Sequence, residues 1–321
     1  MNRRDFLVRS SVVAAAGLVP WSRVFAQTTP AVPRATPPAS PASATPPAPP
    51  APAKVEFVPL RCGAGYATGR GGTIGWLVNQ EAVVAIDSQF PETAKLFIDG
   101  LSGRDGRMFD FLINTHHHGD HTGGNATFRP VTKSIVAHVN VPDLQRSRSK
   151  APEKEVVADT TFVETWRHDF GSEVASARYF GPAHTKGDIV IHLEKANVVH
   201  VGDLVFNRLY PVIDRPGGAG IRGWIQRLET IAKTYPADAI FIFGHGNPKF
   251  GVTGGPANLG AMRDFLSALL EYTGREIKAG RPREEIVKLE NLPGFPDCHT
   301  PAPNRLSANL GVAYDELTSG G

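Results

Sequence analysis

Asn114-Thr115-His116-His117-His118-Gly119-Asp120-His121-Thr122-Gly123-Gly124 is the stretch on which the reading of this chain turns. It directly follows Phe109–Ile113, a short apolar run that reads as a strand. In an extended segment alternate side chains point the same way, so His116 and His118 can reach one metal ion together. His117 then turns away from that ion, toward a packing or surface role. The tighter continuation after Gly119 presents Asp120 and His121 to a second position close by. Imidazole and carboxylate suit zinc or non-haem iron.

Three further segments supply groups of the same kind. Gly181-Pro182-Ala183-His184-Thr185 follows the strand-like Val174–Phe180, Gly202-Asp203 follows Val198–Val201, and Gly244-His245-Gly246 follows Ala239–Phe243. Strands are also expected at Thr73–Val78, Ala82–Ile86, Ser134–Ala137 and Ile189–Leu193, each bounded by Gly, Pro, Asn or Asp. Helical spacing appears over Pro91–Leu101, Trp224–Ile231 and Met262–Ile277, the first with proline at a favoured opening position. Mixed in this way, the elements predict an α/β domain whose helices cover its sheets. The chemistry-bearing residues fall in loops after strands, where a rigid scaffold holds them. His138, His168, His192, His200 and His299 have no ligand spacing and read as satisfied or exposed histidines.

The motif His-x-His-x-Asp-His, followed in order by a third His, an Asp after a strand and a His in Gly-His-Gly, resembles the metallo-β-lactamase superfamily over essentially all of 54–321. The resemblance implies a four-layer αβ/βα sandwich with the site at one edge, between the two sheets. By motif position, His116, His118 and His184 would bind a first metal. Asp120, His121 and His245 would bind a second, with Asp203 bridging both. The implied cofactor is a pair of zinc ions about 3.5–4 Å apart, with iron or manganese as alternatives. Asp87, at the end of the Ala82–Ile86 strand, would support the metal loop by orienting a histidine ligand. Thr115, Thr122 and Thr185 are placed to hydrogen-bond the ligands.

The implied chemistry is hydrolysis of a small molecule, a metal-bridging hydroxide attacking the carbonyl of a lactam, lactone, ester or thioester. Asp120 would bind the second metal and orient the nucleophile. A true β-lactamase is one alternative. The matching β-lactamases, however, carry a Cys where this chain has Asp203, and a Lys that holds the drug carboxylate where it has Phe206. A glyoxalase II-like thioesterase fits the Asp, although Asn207-Arg208-Leu209-Tyr210 lacks that family's basic pattern. A mononuclear iron oxidoreductase of the persulfide-dioxygenase kind and a non-catalytic metal-binding accessory protein complete the field.

The chain has 321 residues and a formal net charge of +3. Residues 1–26 supply that surplus through Arg3, Arg4, Arg9 and Arg23 against Asp5. The domain at 54–321 carries 29 basic and 30 acidic residues. A balanced domain argues against nucleic acid as a partner. Met1–Leu7, with paired arginines before Phe6-Leu7, then an apolar stretch to Val19 and Val24-Phe25-Ala26, resembles a twin-arginine signal peptide over 1–26. It implies the twin-arginine export machinery as a partner and the periplasm as destination. The apolar stretch is too short for stable membrane insertion after cleavage. Residues 27–53 hold ten prolines and eight alanines and read as a semi-rigid linker. Cys62 and Cys298 lie near the two ends of the domain. Pairing would staple them, but twin-arginine substrates fold before export, so the sequence leaves that disulfide open.

Overall fold

The computed structural model describes residues 52–300 and 302–319. The expected signal peptide, and all but the last two residues of the expected linker, lie outside the described residues. The first half of the domain builds a sheet in chain order: β1 (Glu56–Pro59), β2 (Ala64–Thr68), β3 (Ile74–Val78), β4 (Val83–Ile86), β5 (Phe109–Ile113), β6 (Thr132–His138) and β7 (Thr160–Phe162). Its first four strands pair antiparallel, while β4 to β7 are parallel. The parallel crossovers carry helices α1 (Pro91–Gly100), α2 (Gly119–Thr122), α3 (Asn125–Phe128) and α4 (Val141–Arg148).

The second half supplies β8 (Thr165–Asp169), β9 (Val174–Tyr179), β10 (Ile189–Leu193), β11 (Val198–His200), β12 (Phe206–Asn207), β13 (Ile240–Ile242), β14 (His245–Gly246) and β15 (Thr253–Gly254). The second sheet runs β15-β13-β11-β10-β9-β8, and β12 pairs with β14 apart from it. Helices α5 (Ile221–Thr234), α6 (Pro256–Lys278), α7 (Arg283–Ile286) and α8 (Arg305–Thr318) complete this half.

Alternation along the strands explains the layering, since neighbouring residues face opposite sides of a sheet. In β4, Val83 and Ala85 join Phe97, Ile98 and Phe128 in the core under α1 and α3. Val84 and Ile86 face the other way, meeting Ile113, Ile189, Ile191 and Ile242 in the core between the sheets. In the second sheet Val190, Val199 and Phe241 turn outward against Trp224, Leu228, Phe265 and Leu266 of α5 and α6. Both sheets are therefore buried on two faces, which is why their central strands read as continuous apolar runs. The result is the expected four-layer sandwich of helices, sheet, sheet and helices.

The expected strands appear within a residue or two. The edge strands β1, β7 and β8, the strand β2 beside β1, and the helices α4 and α8 have no counterpart among the expected elements. Edge strands are short and partly exposed, so their apolar signal is weak. Cys62 and Cys298 are both free, the first exposed and the second buried, so no disulfide joins the two ends of the domain. Among the described residues no helix is long and apolar enough to cross a membrane.

Candidate metal centre

Topology brings the loops together. Parallel β4 and β5 put Asp87 and the 114–121 loop at one end of the first sheet. Parallel β11 and β13 put Asp203 and His245 at one end of the second. Antiparallel β9–β10 and β10–β11 pairs bring the His184 loop to that same end. Backbone hydrogen bonds cross from one half to the other at this rim: Ile189 N–H donates to Thr115 O (2.9 Å) and Thr73 N–H to Gly244 O (2.9 Å).

All seven residues expected as metal ligands converge here. His116, His118, His184 and Asp203 form one group, and Asp120, His121 and His245 a second, with the ligand atoms of each group within 4.8 Å of one another. Asp203 stands between them. Its Oδ2 lies 3.8 Å from His116 Nε2, 3.5 Å from His184 Nε2 and 3.4 Å from His245 Nε2, while its Oδ1 lies 3.0 Å from His121 Nε2. Asp120 Oδ2 is 3.1 Å from His245 Nε2.

The outer side of each ring fixes which nitrogen faces inward. Asp87 accepts His121 Nδ1–H at 2.7 Å, so His121 presents Nε2 to the cluster. Val212 O accepts His184 Nδ1–H at 2.8 Å, so His184 also presents Nε2. Thr115 Oγ1 gives its proton to Asp87 at 2.7 Å and so accepts from His116 Nδ1 at 3.0 Å. His118 is reversed: Nε2–H donates to Asp214 at 3.0 Å, and Nδ1 faces inward. These lone pairs then meet one another. His118 Nδ1 is 3.1 Å from His184 Nε2, and His116 Nε2 is buried with no hydrogen-bond partner. An orphaned buried acceptor is costly. Converging lone pairs with two carboxylates among them are a donor set for cations, and the residues fit a pair of zinc ions.

The electrostatics agree. Burial, reinforced by neighbouring His121, holds His116 well below the usual imidazole range. Burial also takes His184 down to about 3. Both are neutral, as ligands must be. Burial works against charge on His121 and His245 as well, but their carboxylate neighbours together outweigh it, Asp203 foremost with Asp87 and Asp120 for His121 and with Asp120 for His245, raising His121 well above its ordinary value and His245 to about 9. Asp120 falls to about 2, because His121 and His245 overcome its burial.

Asp87, expected to support the metal loop, is fully buried and also accepts the Thr115 N–H at 2.7 Å. It holds φ at +64°, an uncommon backbone state for a non-glycine residue. Thr122 donates to the His118 carbonyl at 3.0 Å, and Thr185 donates to buried Asp188 at 2.8 Å. Two glycines are dictated by close approach. A Cβ on Gly72 would lie 2.1 Å from the His121 ring, and one on Gly244 would lie 1.9 Å from Asp203 Oδ1.

Asp214 escaped the sequence reading. It accepts from His118, from Arg148 and from Gly217 N–H (3.1 Å), with His117 Nε2 3.4 Å away. His117 is thus buried against Asp214, turned from the cluster as alternation requires. Burial would raise the Asp214 carboxyl, yet the His117 ring facing it and the hydrogen bonds from His118 and Gly217 hold it well below the usual range. In sequence Asp214 is one acidic residue before Pro216-Gly217-Gly218, and nothing there announces its partner 96 positions away. The histidines without ligand spacing stay outside the cluster. His200 donates to Thr73 O at 3.1 Å, and His138 stacks on Tyr179.

Residues 67–245 match the sequence model of the metallo-beta-lactamase superfamily, more than half of the chain. The chain belongs to the metallo-beta-lactamase superfamily. A metallo-beta-lactamase type 2 of Elizabethkingia meningoseptica is 27% identical over 54% of this chain and 68% of its own length. A hydroxyacylglutathione hydrolase of Methylococcus capsulatus is also 27% identical, over 72% of this chain and 82% of its own. Among solved structures, a metallo-beta-lactamase from Pontibacter korlensis superposes with a TM-score of 0.55 at 18% identity, covering 67% of this chain and 99% of that one. The last likeness shows the fold alone.

Proposed function

We propose that this chain is a hydrolase of the superfamily that holds two zinc ions and cleaves the carbonyl group of a small ester, thioester, lactone or lactam. The observation that carries the reading is Asp203, whose two oxygens face His116, His184 and His245 on one side and His121 on the other. When bound, zinc supplies an activated water at neutral pH and polarises a carbonyl oxygen. The chain's own residues do the rest. Asp87, Thr115, Val212 and Asp214 hold four imidazole rings with the ligand nitrogen turned inward, so the rings need not turn on binding. Asp120 and His245 are the more open members, with side chains 30% and 23% exposed, so substrate approaches from their side. Asp120 is ionised at neutral pH and accepts a hydrogen bond from the attacking water, orienting it.

Asp203 and Phe206, standing where the matching β-lactamases carry Cys and Lys, favour ester, thioester or lactone over lactam. The similarity to a hydroxyacylglutathione hydrolase supports the same preference. The proposal includes export to the periplasm by the twin-arginine pathway, which rests on Arg3-Arg4-Asp5-Phe6-Leu7 and the apolar stretch that follows.

The test is metal analysis of the purified protein, together with a panel of an acyl-homoserine lactone, a glutathione thioester and a chromogenic cephalosporin. Two zinc ions per chain and turnover of the lactone or thioester are expected, with turnover lost in Asp120→Ala while the circular dichroism spectrum is kept. One iron per chain with oxygen consumption would overturn the reading. Cell fractionation belongs to the same experiment. Replacing Arg3 and Arg4 by Lys should leave the protein in the cytoplasm, and unchanged periplasmic recovery would rule out the export route.

A further inference from the structure

A groove of about 440 Å3 runs up to His245, between the β2–β3 side of the first sheet and the segment after β14. This is the size of a small-molecule site. Tyr66, Thr68 and Thr73 give it hydroxyl-bearing walls, and several glycines leave backbone facing the space. Among the described residues lining it, Glu56 is the one charged side chain besides His245, and no lysine or arginine contributes.

Basic residues on the surrounding segments are engaged elsewhere. Arg70 lies over the Phe90 ring, 5.0 Å from its centroid, and 3.9 Å from Glu92. Arg208 lies 5.8 Å over the Phe250 ring. Lys249 faces the same ring at 4.9 Å and reaches Asp297 at 3.4 Å. Phe206 stacks flat on His245, with centroids 5.2 Å apart, and puts an apolar face beside the metal centre. A carboxylate entering this groove would lose water and meet Glu56 without a lysine or arginine to pair with, which is unfavourable.

We propose that the groove receives an uncharged or positively charged portion of the substrate, and that Glu56 sets this preference, making the substrate a neutral or cationic acyl compound. The proposal rests on the hydrolase reading of the metal centre. Its test uses the zinc-loaded full chain and three p-nitrophenyl esters of equal acyl length, ending in methyl, trimethylammonium or carboxylate. The cationic ester should exceed the anionic one roughly tenfold in kcat/KM at low salt, mainly through KM, and the gap should shrink as salt rises. Glu56→Gln should cut that ratio by roughly threefold, since a partly exposed charge is screened. Glu56→Lys should invert the ratio. Preferred turnover of the carboxylate ester, or a ratio unmoved in Glu56→Gln, would overturn the proposal. If none of the three esters is turned over, calorimetry with the three corresponding methyl ketones still decides on charge, while the lactone and thioester panel decides on the hydrolase reading. Tighter binding of the cation than of the anion upholds the Glu56 assignment, and equal or reversed affinities refute it.

Discussion

Asp214 shows how one side chain can orient a candidate metal ligand from outside the cluster. It fixes His118 through Nε2 at 3.0 Å and is itself held by Arg148 of α4 and by the Gly217 N–H. Replacing it with Asn keeps the shape but removes the charge that Arg148 and the two histidines face. Partners of this kind are worth roughly 10- to 100-fold in metal affinity. Asp214→Asn should therefore weaken zinc binding by that order, as read by competition with a chromophoric chelator. Unchanged affinity would mean that His118 is oriented by packing alone. The members of the cluster were legible from residue types, because His116 to His121 carry their own spacing. Their orienting partners were not, since Val212 acts through its carbonyl and Asp214 is brought up only by the folding of 208–220.

Helix α5 opens directly after that segment, and its first turn is held from a distance. Gly220 precedes it and has no side chain to cap it. Instead Glu316 of α8 accepts the N–H groups of Ile221 (2.8 Å) and Arg222 (3.0 Å). A carboxylate at a helix N-terminus satisfies orphan donors and complements the dipole. Glu316→Ala leaves one buried and one part-buried N–H group unpaired, at about 1–3 kcal/mol. For a domain of this size that corresponds to a loss of roughly 2–8 °C in Tm, measurable by calorimetry. Glu316→Gln, which keeps an acceptor, should lose less; equal losses would show that the contact is packing. Core helices such as α1 were readable from their apolar spacing. The link between α5 and α8 spans 95 positions and has no local signature.

At the scale of the molecule, the two halves meet at the metal centre. His116, His118, Asp120 and His121 come from the first half, and His184, Asp203 and His245 from the second. Metal binding should therefore couple to protonation of the whole cluster. His121 and His245 are raised by their aspartate neighbours, His245 to about 9, so the metal-free protein carries protons there at pH 7. Zinc must displace them. The apparent zinc affinity of the metal-free protein should rise with pH toward about 9, and calorimetry at pH 7 in buffers of different ionisation enthalpy should show protons released. A pH-independent affinity would contradict the raised values. The +3 net charge, by contrast, belongs to residues 1–26 and says nothing about the centre.

The sequence by itself determined the histidines and aspartates that converge in the cluster, the α/β class and the apolar central strands, because spacing and apolar runs are local properties. Only the tertiary structure decided which ring nitrogen faces the centre of the cluster, which side chains hold those rings, that Cys62 and Cys298 stay apart, and that the groove beside His245 carries Glu56 and no lysine or arginine. Each of these depends on groups far apart in the chain, whose distances are fixed only when the two sheets stack.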